Sequence, residues 1–427
     1  MFDEYSKSTE RKEQANTVKM YEISKQVVLE AYKEVKANKG SAGVDNQTLA
    51  EFEENLKDNL YKIWNRMSSG SYFPPAVRMV EIPKSDGKVR KLGIPTVSDR
   101  VAQMVAKIYL EPLLEKHFHE DSYGYRPNKS AHQAIAKTRE RCWKYDWVID
   151  LDIKGFFDNL DHELVMRAVE KHTDCNWLLL YTKRWLKASI ETTDGQVQER
   201  TKGTPQGGVI SPLLANLFLH YAIDEWMKRN HPYNPFERYA DDIIVHCKTL
   251  EEAKSLKEAI DQRLKDCKLE HHPEKTQIVY CKDDNREENF SQNKFDFLGY
   301  TFQSRLAKSK WGNYFVSFIP AISKKAVKAI NQRIRSWRLQ LRSGKSLEKI
   351  ADEINPVIIG WINYYGKFYK TAIYSIFEGL NRKLAKWAKR KLKCSEKKAI
   401  HWIEKVAASK PEIFAHWKIG ICHASGQ

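Results

Sequence analysis

The sequence predicts an α+β body followed by an all-helical, basic module. The middle of the chain alternates short β-branched runs with longer segments of helical period, a pattern that is typical of a domain of mixed sheet and helix. From Ser323 onward the pattern is helical throughout. Nearly all of the excess positive charge lies in that helical part, so the two parts are expected to differ in function as well as in structure.

Positive charge is concentrated in one segment. The 427 residues carry 72 Lys and Arg against 55 Asp and Glu, a formal net charge of +17. Residues 320–393 contain 18 basic and 4 acidic residues, a net charge of +14. Because aromatic residues are interleaved with these cations, the segment is predicted to bind nucleic acid, with phosphates held by Lys and Arg and bases stacked on rings. The alternative is a basic helix surface that is only solvated.

Individual elements follow from local patterns. Apolar residues at helical spacing predict helices, and short apolar or β-branched runs predict strands. A β-hairpin is predicted around the turn Ser85-Asp86-Gly87. The predicted helices lie within 1–70 and at 99–117, 161–187, 212–229 and 251–267, and the predicted strands lie at 77–83, 89–95, 147–153, 276–280 and 295–300.

Several classes of protein are disfavoured. No run approaches 18 uninterrupted apolar residues, so no membrane span is predicted, and the N-terminus is polar and acidic. The seven cysteines are scattered and never form a Cys-x-x-C arrangement. This pattern predicts reduced thiols in a cytoplasmic protein without a zinc site.

The segment Tyr239-Ala240-Asp241-Asp242 is the most informative motif. It lies between two strand-like runs, so it predicts a hairpin whose tight turn is made by the two Asp residues. Adjacent carboxylates repel each other, and a divalent cation would relieve that repulsion. An ordinary solvated turn is the alternative interpretation of the motif taken alone.

A second acidic pattern supports the metal interpretation. Asp150 and Asp152 alternate with apolar residues in the strand 147–153, so both point to one face. If this strand neighbours the hairpin in a sheet, Asp152, Asp241 and Asp242 converge. Three carboxylates suit two Mg²⁺ ions, with Mn²⁺ as a substitute, in phosphoryl or nucleotidyl transfer. The hairpin cations, listed here, would neutralise a polyphosphate: Arg78, Lys84, Lys88 and Arg90.

Eight motifs in order carry a family resemblance. They are Asn38-Lys39-Gly40 with Gly43-Val44-Asp45, Glu81-Ile82-Pro83-Lys84 with Gly93-Ile94-Pro95, Ser122-Tyr123-Gly124-Tyr125-Arg126-Pro127, Asp150-Leu151-Asp152 with Phe156-Phe157-Asp158, Gly203-Thr204-Pro205-Gln206-Gly207-Gly208 with Ser211-Pro212, Arg238-Tyr239-Ala240-Asp241-Asp242, Phe297-Leu298-Gly299 and Gly360-Trp361-Ile362-Asn363-Tyr364-Tyr365. With these motifs, over roughly residues 30–395, the chain resembles reverse transcriptases encoded by group II introns, also called intron maturases.

The resemblance implies an architecture. The expected fold is a right-hand polymerase, with fingers and palm built from antiparallel sheet and helices, and an all-helical basic thumb/maturase module. The implied divisions are an N-terminal extension (1–30), fingers and palm (31–305), a thumb/maturase RNA-binding region (306–395) and a C-terminal tail (396–427). The C-terminal nuclease with paired cysteines that many family members carry is not expected, because Cys394 and Cys422 lack partners in the sequence.

The resemblance also implies roles for individual residues. Asp152, Asp241 and Asp242 would be the catalytic metal ligands. Phe157, with Phe156 as its rival, would crowd a ribose 2′-hydroxyl and so select deoxynucleotides. The remaining nucleotide-binding candidates are Lys84, Arg90, Gln206 and Lys275, with Arg78 and Arg100 as weaker ones. The turn Phe297, Leu298 and Gly299 would hold the primer end. The template–primer would lie along a broad helix face formed by Lys324, Lys325, Lys328, Arg333, Arg335 and Arg338.

The function implied is RNA-directed DNA synthesis together with binding and splicing of an intron RNA. The expected partners are an RNA template, a DNA primer or target DNA and deoxynucleoside triphosphates. One alternative is a related enzyme adapted to a host role such as antiviral defence or spacer acquisition. Another is an RNA-binding splicing cofactor whose polymerase activity is incidental.

Overall fold

The computed structural model describes residues 19–83, 89–286, 288–309 and 311–424. Its helices, in chain order, are α1 (Lys25–Asn38), α2 (Leu49–Glu54), α3 (Leu56–Ser68), α4 (Val97–Glu115), α5 (Ala131–Cys142), α6 (Phe156–Asn159), α7 (His162–Glu170), α8 (Asn176–Leu186), α9 (Ser211–Leu219), α10 (Glu225–Asn230), α11 (Leu250–Asp266), α12 (Lys324–Ser336), α13 (Leu347–Tyr365), α14 (Tyr374–Lys391), α15 (Glu396–Ser409) and α16 (Ala415–Lys418). Its strands are β1 (Val77–Pro83), β2 (Val89–Ile94), β3 (Trp147–Asp152), β4 (Ile190–Glu191), β5 (Val197–Gln198), β6 (Phe236–Tyr239), β7 (Asp242–Cys247), β8 (Gln277–Tyr280), β9 (Lys294–Phe297), β10 (Tyr300–Lys308) and β11 (Tyr314–Ile322). This mixture of sheet and helix, ending in helices alone, confirms the predicted fold class.

The body is built around a four-stranded antiparallel sheet in the order β6-β7-β3-β8, called the central sheet below. Strand alternation sends Ile149 and Leu151 into the main core among the helices. The opposite face packs against β9–β11 through Val148 and Ile244. Asp150 and Asp152 lie on this second face, at the end of β3 that the apolar contacts leave uncovered.

Two further sheets flank the central one. The predicted hairpin forms as β1 and β2, with Glu81 opposite Lys91, and its turn lies outside the described residues. A three-stranded sheet has the order β11-β10-β9. The long strands β10 and β11 were not predicted, and β10 crosses the predicted division at residue 305, so the helical module begins only at Lys324.

Helix boundaries depend on local capping and packing. The Thr96 hydroxyl accepts a bond from the amide of Asp99 at 3.1 Å, so α4 begins before the predicted position. The single helix predicted over 212–229 is divided into α9, a π-helical turn (His220–Asp224) and α10. Such π-turns are rare and often lie near functional sites.

The C-terminal helices α12–α16 share a hydrophobic core of their own. Its buried members include Ile358, Leu380, Ile403, Phe414 and Trp417. Because Ile403, Phe414 and Trp417 belong to this core, the segment predicted as a tail is an integral part of the helical module. Within the described ranges, every helix is too short or too polar to cross a lipid bilayer.

We expect stability to depend on pH through His416 in this core. Its imidazole Nε2 contacts Asn381 Oδ1 at 2.7 Å, and burial lowers the pKa of His416 from 6.5 to about 3. A histidine whose folded pKa is lowered contributes stability above its unfolded pKa and loses it as the pH falls. Acidification from pH 7 to pH 5 should therefore cost about 2 kcal/mol at this site.

The measurement is urea unfolding of the full chain at the two pH values. His416→Gln keeps an amide donor and should reduce the pH dependence of the free energy of unfolding by about 2 kcal/mol between pH 7 and pH 5. His401→Gln, at an exposed position on α15, is the matched control and should leave it unchanged. An equal pH dependence in wild type and His416→Gln would refute the assignment.

Candidate active site

Three acidic residues meet at one end of the central sheet. Asp152, the last residue of β3, lies directly opposite Asp242, the first residue of β7. Asp241 precedes Asp242 in the loop that joins β6 to β7. The structure therefore brings together the three carboxylates that the sequence pattern singled out, through the strand pairing that the prediction required.

The turn itself differs from the prediction. Tyr239 pairs with Asp242, so the loop residues are Ala240 and Asp241 and not the two Asp residues. Ala240 has φ +56°, in the left-handed region that residues with a Cβ seldom adopt. The backbone of Ala240 thus turns the chain, and Asp242 is already part of the strand.

Electrostatic effects reflect this concentration of acids. Asp242 is exposed toward a cavity but closely surrounded by protein. Partial desolvation there, followed by the carboxylates of Asp241 and Asp152, raises the pKa of Asp242 to about 7. Burial, together with the charge of Asp152, also raises the pKa of Asp241. Both shifts indicate a place where negative charge lacks compensation.

Asp150 lines the same cavity as Asp152 and Asp242, and it was not among the predicted site residues. Burial raises the pKa of Asp150 to about 7. A hydrogen bond from Gln277 acts to lower this pKa, and the charges of Asp242 and Asp152 act to raise it further. Gln277 Nε2 donates to Asp150 Oδ2 at 3.0 Å. The signal was present in the alternation of Asp150 with Asp152 along one strand.

Lys275, which the resemblance placed near the leaving pyrophosphate, lies beside Asp152 in the structure. Its Nζ is 3.0 Å from Asp152 Oδ2. The cavity that these two residues share with Asp150, Asp242 and Lys324 has a volume of about 820 Å³, and it is called the catalytic cavity below. Lys275 thus provides the positive charge nearest to Asp152.

The carboxylates fit a divalent metal by their chemistry. Carboxylate oxygens are the ligands that Mg²⁺ prefers, and the raised pKa values show that a cation would relieve repulsion at this point. Among the residues that the structure describes, no three His, Cys, Asp or Glu side chains are gathered tightly enough to hold a metal. Asp152 Oδ2 accepts a hydrogen bond from the Lys275 ammonium group at 3.0 Å.

A glycine-rich loop forms the adjoining wall. Arg90 Nε donates to Gln206 Oε1 at 2.8 Å, which joins two of the predicted nucleotide-binding residues. Gly93 donates its amide to the Gln206 carbonyl at 2.8 Å. A Cβ on Gly207 would lie 2.5 Å from the Gly93 carbonyl oxygen, so the close approach of this loop to β2 requires glycine.

The two phenylalanines of α6 are both buried. Phe157 is 7% exposed and Phe156 is 2% exposed, and their ring centroids are 5.4 Å apart. The Phe157 carbonyl accepts a bond from the Thr204 amide at 2.7 Å. Phe157 therefore lies against the loop of Gln206, and its larger exposure makes it the better placed of the two to meet a ligand.

Three predicted cations lie elsewhere or outside the description. Arg78 Nη2 donates to Asn46 Oδ1 at 2.6 Å, and Arg100 Nη2 donates to the Ser41 carbonyl at 2.8 Å. Both guanidinium groups therefore hold the loop that precedes α2, and the structure does not bring them to the carboxylates. Lys84 lies outside the described residues.

The predicted primer-holding turn joins β9 to β10. Its central residues, Leu298 and Gly299, have φ values of +50° and +81°, and Phe297 is buried in the core that covers the central sheet. Tyr364 donates its hydroxyl to the Leu298 carbonyl at 2.8 Å. The helical module is thereby attached to the body at this turn.

The basic residues of α12 divide between two places. Lys324 lines the catalytic cavity, and the charge of Lys325 acts to lower the pKa of Asp242. Arg335 instead lines a second cavity of about 370 Å³ between α12, α14 and α15, called the α12–α14 cavity below. All six predicted cations are exposed, namely Lys324, Lys325, Lys328, Arg333, Arg335 and Arg338.

The α12–α14 cavity gathers cations that the site prediction did not name. Arg382, Lys383 and Lys386 line it together with Arg335. No salt bridge joins these four to an acid in the part of the chain that the structure describes; Glu396, which also lines the cavity, pairs with Lys389 at 3.4 Å. The spacing of the three residues along α14 was the available sequence signal.

Comparison with known families gives two matches along the chain. Residues 82–302 match the family described as reverse transcriptase (RNA-dependent DNA polymerase). Residues 327–404 match the family described as group II intron, maturase-specific domain. The first match spans the carboxylates and the glycine-rich loop, and the second spans most of α12–α15.

Individual proteins are similar over part or most of their length. Protein YkfC of Escherichia coli (strain K12) is 31% identical over 322 residues, which are 65% of this chain and 80% of that protein. Group II intron-encoded protein LtrA of Lactococcus lactis is 37% identical over 194 residues, 44% of this chain. The match covers only 32% of LtrA, so this chain aligns with about a third of that relative.

We predict that removing one carboxylate stabilises the metal-free protein. The pKa of Asp242 is raised to about 7 in the folded state, so ionisation of this group destabilises the fold as the pH rises from about 4 through 7. Asp242→Asn should therefore raise the Tm at pH 8 by a few degrees and change it little at pH 4.5.

Thermal unfolding with and without Mg²⁺ measures this effect. Mg²⁺ at pH 8 should raise the Tm of the wild type and have less effect on Asp242→Asn. Asp174→Asn serves as the control, because Asp174 is exposed and distant from Asp242 in the sequence. A lower Tm for Asp242→Asn than for the control at pH 8 would contradict the repulsion.

Proposed function

Because this chain belongs to the reverse transcriptase family, in its group II intron-encoded branch with a maturase-specific domain, we propose that it extends a DNA primer on an RNA template. The observation that carries the proposal is the pairing of Asp152 with Asp242 beside Asp241 at the open end of the central sheet. The proposed substrates are deoxynucleoside triphosphates, and the proposed template includes structured intron RNA.

The carboxylates of Asp152, Asp241 and Asp242 are the proposed ligands of two Mg²⁺ ions. When bound, the ions would activate the primer hydroxyl and neutralise the leaving pyrophosphate. Lys275 would move from Asp152 toward the pyrophosphate when the metals bind, since its ammonium group already lies 3.0 Å from that carboxylate. The ammonium group of Lys275 would then stabilise the negative charge of the leaving pyrophosphate.

The wall formed by Arg90, Gln206 and Phe157 is the proposed nucleotide site. Arg90 would grip the triphosphate through its two Nη groups, since its bond to Gln206 is made by Nε. Gln206 would hold the nucleotide or the template base. Phe157, supported by Thr204 from behind, would crowd a ribose 2′-hydroxyl and so favour deoxynucleotides.

The helical module is the proposed RNA-binding part of the protein. Lys324 and Lys325 would contact the duplex beside the catalytic cavity. The α12–α14 cavity gathers four cations that form no salt bridge with any acid among the described residues, and it would hold phosphates of the intron RNA. Binding at both places would allow one chain to copy RNA and to assist the folding that splicing requires.

Asp241→Ala with Asp242→Ala should abolish DNA synthesis. The loss of two metal ligands is expected to lower primer extension by about 1,000-fold or more, whereas RNA affinity should change little because the basic residues remain. Extension of a DNA primer on an RNA template with Mg²⁺ and deoxynucleotides measures the first effect, and filter binding measures the second. Retained synthesis would refute the proposal, and loss of RNA affinity without unfolding would show that the two functions are not separable.

Neutralising the α12–α14 cavity should weaken the binding of structured RNA. Arg382→Gln with Lys386→Gln is expected to lower the slope of log affinity against log salt by about one unit for each phosphate contact that is lost. Extension on a short template–primer should change little. The matched control is Arg342→Gln with Lys345→Gln, since Glu353 already neutralises both cations. Equal slopes for the two double variants would remove the cavity from the RNA interface.

A further inference from the structure

Strand β6 leads into the loop of Ala240 and Asp241, called the catalytic turn below. This strand carries Arg238, an arginine with no exposed surface. Its Nε and Nη2 donate to the two carboxylate oxygens of Asp224 at 2.7 and 2.6 Å. Asp224 is also fully buried and ends the π-helical turn between α9 and α10. A bidentate pair of this kind fixes the orientation of the guanidinium plane as well as its position.

The remaining nitrogen of Arg238 reaches the catalytic turn. Nη1 donates to the carbonyl of Ala240 at 3.2 Å and to Asn216 Oδ1 at 2.9 Å. Ala240 is the residue with φ +56°, a conformation that is strained for a residue with a Cβ. The hydrogen bond to its carbonyl favours this conformation over relaxed alternatives.

The turn is confined from the other side as well. Asn216 Nδ2 donates to the Gly124 carbonyl at 2.6 Å, and a Cβ on Gly124 would lie 2.5 Å from the amide nitrogen of Ala240. The backbone of Arg238 is bonded to the same segment, because its amide donates to the Asp121 carbonyl at 2.9 Å. Ala240 is thus held between residues 121–124 and the Arg238 side chain.

A second arginine, Arg141 on α5, is largely buried beside β6 and provides the comparison. Arg141 pairs with Glu237 Oε1 at 2.5 Å and Asp121 Oδ2 at 2.6 Å, and donates to the Phe236 carbonyl at 2.9 Å. It stabilises β6 without a contact to Ala240 or Asp241. If both arginines served stability alone, their loss would have equivalent effects on the reaction.

We propose that Arg238 is a positioning residue for DNA synthesis. It acts through the Ala240 carbonyl, from the face of the sheet opposite the carboxylates, and sets the turn so that Asp241 and Asp242 face Asp152. The inference rests on the proposed function. A lysine cannot make the same set of contacts, because it lacks the planar fork that reaches Asp224, Asn216 and Ala240 together.

The test compares Arg238→Lys with Arg141→Lys in the full chain. For Arg238→Lys we expect kcat of primer extension to fall by about 100-fold, because small misplacements of reacting groups lower rates by about that factor. We also expect the Mg²⁺ concentration for half-maximal rate to rise several-fold. RNA affinity and the KM for the template should be unchanged. Arg141→Lys should lower the Tm by a comparable amount while keeping kcat and the Mg²⁺ dependence close to wild type.

Equal effects of the two lysine variants on kcat, or an unchanged Mg²⁺ dependence in Arg238→Lys, would overturn the proposal. If Arg238→Lys does not fold, Arg238→Met with Asp224→Leu replaces the pair without leaving a buried lone charge, and the same criteria apply. If neither of these Arg238 variants folds while Arg141→Lys does, the proposal is also overturned, since Arg238 would then be required for folding alone. Wild type and Asp241→Ala in the same assay test the proposed function separately, because an inactive wild type or an active Asp241→Ala would refute that function whatever Arg238 does.

Discussion

Repulsion among carboxylates at one end of the central sheet is the constraint on which the rest of the site depends. The register of β3 with β7 places Asp152 opposite Asp242, and the loop adds Asp241 beside them. Opposite residues in antiparallel strands are about 5 Å apart, so these groups cannot separate without breaking the ladder. Burial, and after it the neighbouring carboxylates, raises the pKa values of Asp241 and Asp242, and a bound cation would offset both effects.

The surrounding elements hold this charged end open and rigid. On one face, β9–β11 cover the sheet up to Ile244 and leave the acids in a cavity. On the other face, helices pack against Ile149 and Leu151. The Tyr364–Leu298 contact joins the helical module to the same region. The carboxylates of the central sheet and the basic helices of the C-terminal module are therefore parts of one connected framework.

The sequence predicted what alternation and local turns determine. Strand β3, the hairpin around Asp241 and the convergence of the acids all follow from period-two patterning and family motifs. The end of β10 was missed because residues 304–308 mix polar and apolar side chains without regular alternation. Strand β11 did carry a signal, since Tyr314, Phe315 and Val316 are residue types that favour strands. The roles expected of Arg78 and Arg100 rested on the resemblance and on charge, and neither reveals that a loop carbonyl or amide lies nearby. Likewise, the buried partners of Arg238 are distant in sequence and could not be read from its motif.

The most direct test of the account is to locate the metals. Anomalous scattering from crystals of the protein grown with Mn²⁺, an RNA template, a DNA primer and a non-reacting deoxynucleotide analogue would show them. The account predicts two peaks bound by Asp152, Asp241 and Asp242, with Lys275 displaced from Asp152 toward the triphosphate. Peaks elsewhere, or a retained contact between Lys275 and Asp152 with no metal at the carboxylates, would contradict it.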